Sequence, residues 1–133
     1  FQLDGITRNV LQEGEFILKV TFPENVANRK GSYKKLRVRE SWDFPEAGVA
    51  SSWIPGDLSS LRVASTALES IPRSHHEEVD ALGNSFSKEH ISQLSEKIMK
   101  SIKPVNNTAL PPRYRKSMVR VLAKRSLREI LGD

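Results

Sequence analysis

Along residues 15–22, EFILKVTF, apolar side chains recur at every second position. Phe16, Leu18, Val20 and Phe22 fall on one face, with Ile17, Lys19 and Thr21 opposite. Successive side chains of an extended chain point to opposite faces, so this spacing predicts a strand that Pro23 ends. After the polar stretch ENVANRKG, residues 32–39 (SYKKLRVR) alternate again. Leu36 and Val38 lie on one side; Tyr33, Lys35, Arg37 and Arg39 lie on the other. Together the two runs predict an antiparallel hairpin over 15–39 with a long loop, and Leu18 and Val20 are expected in the core. A further strand is expected over 5–12. Residues 41–57, SWDFPEAGVASSWIPGD, carry two prolines and two glycines and read as irregular. Their rings, Trp42, Phe44 and Trp53, are expected to anchor this stretch on the core, because aromatic burial dominates such packing.

Beyond residue 57 the period lengthens to that of a helix. Asp57 is a good N-cap, Leu58, Leu61, Ala64, Leu68 and Ile71 form a stripe, and Pro72 closes it, which predicts a helix over 57–71. A second helix is predicted over 87–103. Ser87 is its N-cap, Phe86 and Ile91 stand at hydrophobic-staple spacing, and Ile91, Leu94, Ile98 and Ile102 are its buried stripe. Pro104 ends it. The third spans 112–131, opened by Pro112. Strands followed by helices define an α+β class: a small N-terminal antiparallel sheet packed with about three C-terminal helices.

The 133 residues are the length of one domain. The chain begins with Phe1, so the expectation is a single domain cut from a longer protein. Cysteine is absent, which removes disulfides, thiolate nucleophiles and cysteine-type zinc sites. No apolar run reaches the roughly 20 residues that span a bilayer, so no membrane role is expected.

The net charge of +5 is unevenly spread. Residues 1–40 carry +3, residues 41–110 carry −3, and residues 111–133 carry +5. On the third predicted helix, Arg113, Lys116, Arg120, Lys124 and Arg128 recur at spacings of three and four and form one cationic stripe. Met118, Val119, Val121, Leu122, Ala123 and Ile130 fill most of the other side, with Arg115 and Arg125 intruding. A second basic run, residues 29–39, holds Arg29, Lys30, Tyr33, Lys35, Arg37 and Arg39 and no acid. Cations along a strand with one aromatic ring suit a phosphate backbone and a stacked base. Such stripes also serve as solvated helix faces and as charged edges that block strand pairing.

Catalytic patterns are missing. SHHEEVD, residues 74–80, is rich in donor atoms, but its spacing matches no strong metal-ligand pattern. There is no nucleophile elbow and no phosphate-binding glycine loop. The sequence therefore predicts a non-enzymatic module without a cofactor. It would contact nucleic acid, DNA-binding included, through Arg29, Lys30, Tyr33, Lys35, Arg37, Arg39, Arg113, Lys116, Arg120, Lys124 and Arg128. The expected location is intracellular, the nucleus among the candidates. The alternative is an assembly domain whose terminal helix lays Met118, Val121 and Leu122 into a partner's groove, its basic face meeting an acidic protein.

Overall fold

The structure is a computed structural model that describes residues 9–40, 42–81, 83 and 87–132. Strand β1 (Lys30–Leu36) pairs antiparallel with β2 (Ala47–Ile54), from Lys30 opposite Trp53 to Leu36 opposite Ala47. Between β2 and β3 (Asp57–Thr66) lies the shortest of loops, Pro55–Gly56. Proline presets φ at the first turn position, and Gly56, with φ +89°, supplies the left-handed second position. A short β4 (Arg73–Ser74) completes a four-stranded sheet in the order β1-β2-β3-β4. Period two then sorts the side chains. Ala47, Val49, Ser51, Leu61, Val63 and Ser65 turn inward and are buried.

Helix α1 (His76–Asp80) is a single turn. Helix α2 (Lys88–Ser101) starts at Ser87, whose side chain accepts from the His90 amide while the His90 ring accepts from the Ser87 amide. That is a reciprocal cap with histidine in the usual Glu/Gln position. Helix α3 (Pro112–Leu131) has Pro112 in its first turn and stops at Gly132, φ +81°. It lies over β1 and β2, and α2 packs beside it. The core forms between the inward sheet face and Ile91, Leu94, Ile98 and Ile102 of the α2 region together with Val119, Leu122, Leu127 and Ile130 of α3. Small buried hydroxyls let α3 approach closely: the Ser126 hydroxyl meets that of Ser51 and donates to the Ser32 carbonyl. Trp53 donates its indole N–H to the Ile130 carbonyl at 2.9 Å.

The class is thus α+β, a four-stranded antiparallel sheet packed with three helices among the described residues. Several elements differ from expectation. Residues 15–22 join no strand, and Leu18 and Val20 are exposed, because no neighbouring strand in the body pairs with them. The predicted 15–39 hairpin is replaced by β1–β2. Residues 57–71 are not a helix: Leu61, Val63 and Ser65 obey period two, and the Pro55–Gly56 turn carries the chain straight back along β2. Residues 47–54, read as irregular, are β2, one of the two inner strands. Trp42 and Phe44 are exposed, and only Trp53 of the three rings packs against the core. Of the strand predicted over 5–12, residues 5–8 lie outside the described residues, as does Phe86 of the predicted staple; residues 9–12 form no strand.

Candidate interaction surfaces

The cationic stripe of α3 faces α2. Arg113 is exposed at the first turn. Lys116 Nζ donates to the carbonyls of Ile102 (2.7 Å) and Lys100 (3.2 Å). It thereby closes the end of α2, where helix carbonyls lack partners. Arg120 pairs with Glu96 at 3.3 Å. Further along, Lys124, Arg125 and Arg128 line a cleft of about 470 Å³ between the two helices, across from Ser92 and Glu96. Met118 and Val121 are half-buried, while Leu122 belongs to the core and is not free to enter a groove.

The basic run of β1 is dispersed. Arg29 points at the sheet: its Nε donates to Ser52 Oγ (3.2 Å) and its Nη2 to the carbonyls of Ser52 (3.1 Å) and Ser60. Lys30 is exposed. Tyr33 and Lys35 project from the sheet face away from the helices. Tyr33 lies across Gly48, where a Cβ would stand 2.7 Å from the phenol oxygen. Arg37 is exposed beyond the strand, and Arg39 pairs with Asp43 at 3.0 Å. Asp43 also accepts from the amides of Arg39 and Phe44. Led by the Arg39 amide and then its guanidinium, these donors lower the Asp43 pKa to about 2. The alternate residues of β1 turn the other way, with Ser32 and Lys34 both engaging Glu129 of α3. Tyr33 and Lys35 are therefore separated by the sheet and α3 from the α2–α3 cleft. The two basic stripes do not merge.

Among the described residues, two side chains that can carry charge, Arg115 and His75, have no exposed surface. Arg115 is fully enclosed, and its guanidinium donates to the carbonyls of Glu46 (2.7 Å), Val105 (2.8 Å) and Ala67 and to Asn107 Oδ1 (3.2 Å). Glu46 Oε2 lies 3.7 Å away and supplies the countercharge. Ala67 adopts φ +66°, a left-handed conformation that side chains disfavour, and its carbonyl is thereby presented to Arg115. His75 is likewise enclosed, with Nε2 2.9 Å from Ser65 Oγ and Nδ1 3.6 Å from Glu78. Burial, the dominant cause, lowers the His75 pKa. Ser65, His75 and Glu78 have the connectivity of nucleophile, base and carboxylate, yet Ser65 and His75 are both closed to solvent. The cluster joins β3 to α1 and α2. Among the described residues no group of three or more His, Asp or Glu is placed to hold a metal ion.

The largest apolar exposure lies elsewhere. In the segment 9–23, Phe16 (77% exposed), Leu18 (82%), Val20 (71%) and Phe22 (70%) are all in solvent, as is Ile17. A turn closed by the Glu15 amide on the Gln12 carbonyl (3.1 Å), with Gly14 at φ +84°, precedes this run. Trp42 and Phe44 add two exposed rings beside Lys35 and Arg37, at a second cleft of about 470 Å³. The alternation over 15–22 was a sequence signal for a strand. That its apolar face would lack a partner was not.

No protein-family profile matches the chain. Its fold is shared with chains of solved oxidoreductases. It is similar to a chain of the carbon monoxide dehydrogenase from Hydrogenophaga pseudoflava, in a form lacking the Mo-pyranopterin moiety of its molybdenum cofactor. The TM-score is 0.70 at 21% identity, over 80% of this chain and 38% of that one. Quinoline 2-oxidoreductase from Pseudomonas putida 86 gives 0.67 at 14% identity, over 77% and 36%. Carbon monoxide dehydrogenase from Oligotropha carboxidovorans gives 0.67 at 18%, over 79% and 37%. The chain thus spans little more than a third of each of these chains.

These likenesses correct three expectations. The chains that share this architecture come from oxidoreductases and not from nucleic-acid modules, so the nucleic-acid reading and its nuclear setting fall. The expectation of a non-enzymatic module falls with them, since these neighbours are enzymes or subunits of enzymes. The physical reason is visible in the cations: Arg29 and Lys116 hold backbone carbonyls, Arg120 and Arg39 pair with carboxylates, and the two stripes occupy different sides. A protein partner is compatible with the fold. No helix among the described residues is long and apolar enough to cross a membrane.

Proposed function

We propose that this chain is one domain of a larger oxidoreductase of the kind represented by carbon monoxide dehydrogenase and quinoline 2-oxidoreductase, and that it takes part in assembling that enzyme. One observation carries the reading: the body superposes on such chains with a TM-score of 0.70 across 80% of its length while covering only 38% of the longer chain. The exposed Phe16, Leu18, Val20 and Phe22 support it, because apolar surface of that extent marks an interaction site.

The Hydrogenophaga enzyme is described with a molybdenum cofactor. The residues here do not fit a metal. Cysteine is absent, and the described histidines and carboxylates form no ligand cluster. The redox centre of the proposed enzyme accordingly lies with other residues, and this domain's contribution is to hold them in place.

The test is to isolate the intact protein assembly through a tag on this chain, measure its molybdenum by mass spectrometry, and follow dye reduction with carbon monoxide and with quinoline. The reading expects molybdenum in stoichiometric amount and dye reduction with an oxidisable donor. An assembly that is free of molybdenum and reduces no dye would overturn it.

A further inference from the structure

Residues 15–22 have the pattern of a strand and no sheet to join. Among the described residues no hydrogen bond involves the backbone or side chains of 16–22. The body offers them no place. Its sheet ends at β1, α3 already covers β1 and β2, and α2 packs on the side of α3 toward α1. A strand added outside β1 would find no helix of this body to cover its apolar face. Left in water, Phe16, Leu18, Val20 and Phe22 present a row of apolar side chains beside unpaired backbone groups, a combination that proteins bury or block. Little here blocks it: Pro23 lies after the run, and past Glu15 at its start Lys19 is its one charge.

We propose that residues 15–22 are a donated strand. They pair along the free edge of a β-sheet in the remaining portion of the same oxidoreductase and press Phe16, Leu18, Val20 and Phe22 onto its apolar layer. The opposite face, Glu15, Ile17, Lys19 and Thr21, is mostly polar and suits a sheet surface that meets water. Eight residues reach roughly 26 Å as a strand, enough to run the length of an ordinary sheet edge. Two phenylalanines with Leu and Val offer roughly 500–700 Å² of contact, most of what one side of a specific interface needs. The Gln12–Glu15 turn and Pro23 delimit the segment, so the paired length is set by the sequence. The mode is strand addition: main-chain bonds supply affinity, and pockets for alternate side chains supply register. The inference rests on the proposed function for the source of the receiving sheet. The pairing itself does not.

Amide hydrogen exchange on the isolated chain and on the intact tagged assembly tests this directly. In the isolated chain, residues 16–22 should exchange as open backbone. In the assembly, alternate amides should slow by on the order of 100-fold. The double variant Leu18→Asp/Val20→Asp should leave the melting temperature of the isolated chain unchanged and should weaken assembly at least tenfold. Unchanged exchange at 16–22 in the assembly overturns the proposal, as does parental assembly by the double variant. Concentration-dependent protection in the isolated chain, with a doubled mass, would assign the strand to a second copy and also overturn it. Protection at 16–22 in an assembly free of molybdenum and dye reduction would retain the donated strand and remove only the functional reading.

Discussion

Replacing Arg115 with Met should be among the most damaging single changes to the body. Methionine matches the helix propensity of arginine and replaces its aliphatic stem, so the effect isolates the guanidinium. Four acceptors lose their donor: the carbonyls of Glu46, Ala67 and Val105 and the side chain of Asn107. Bonds from a charged group contribute about 1.5–3 kcal/mol each, but four such values do not add. Carbonyls near the surface rehydrate. Glu46 does not escape so readily. Its side chain is only 10% exposed, and among the described atoms its Oε2 has no hydrogen-bond donor, so it would keep a buried charge with the countercharge gone. Removing one member of a buried pair costs about 3–5 kcal/mol, and we expect a loss in that range. At a urea slope near 2 kcal/mol per molar, the midpoint falls by about 2 M, read by Trp53 fluorescence. Adding Glu46→Gln to the Met variant should restore about 1 kcal/mol, since the orphaned charge is then gone. A Met variant whose midpoint lies within about 0.3 M of the parent would refute the argument that this guanidinium ties β2, the β3–β4 bend and the α2–α3 connector together.

His75, lowered by burial, binds its proton more weakly folded than unfolded; stability should fall as pH drops below about 6.5, and His75→Gln should flatten that slope in urea titrations at pH 5 and pH 7. Asp43 has its pKa lowered to about 2, so its contribution is present above the unfolded value of 3.8 and lost as pH falls toward 2; NMR of the Val38, Arg39 and Phe44 amides should show their bonds intact at pH 4 and released near pH 2. Ala67→Gly should raise stability by about 0.5 kcal/mol, because relief of a left-handed alanine, about 1–2 kcal/mol, exceeds the added unfolded-state entropy. A fall in its thermal midpoint would show that Ala67 is not strained.

How far the fold could be read from sequence depended on whether the signal was local. Ser87, Pro104, Pro112 and Gly132 mark helix ends by their own chemistry, and α2 and α3 appear within two residues of the expected spans. Residues 57–71 carried two periods at once. Leu58, Leu61, Ala64 and Leu68 fit a helix; Leu61, Val63 and Ser65 fit a strand. The tie was broken by Pro55–Gly56, a turn signal just outside the window, and by pairing with β2. Arg115 stood in line with Val119, Leu122, Ser126 and Ile130, which is the buried stripe of α3. The sequence showed it only as a cation intruding on the apolar side; its burial was not legible, because its four acceptors come from other elements, which a helix pattern does not encode. The basic stripes were legible as charge. Their use inside the fold, as with Lys116 on the carbonyls of α2, was not.

The bond from Ser32 to Glu129 joins positions 97 residues apart. A ribosome adds roughly 5–20 residues each second, so β1 leaves the exit tunnel about 5–20 s before the helix that roofs it. Through that interval Ala47, Val49, Leu61 and Val63 form the underside of a meander with nothing beneath it. The nascent sheet is then a substrate for holding chaperones, and its wait is set by translation speed across the α2 region. Slower codons between residues 67 and 112 would lengthen the exposure and favour aggregation; faster ones would shorten it. In the cell, yield of the folded chain should then depend on the delay before α3 arrives as well as on the stability of the finished body.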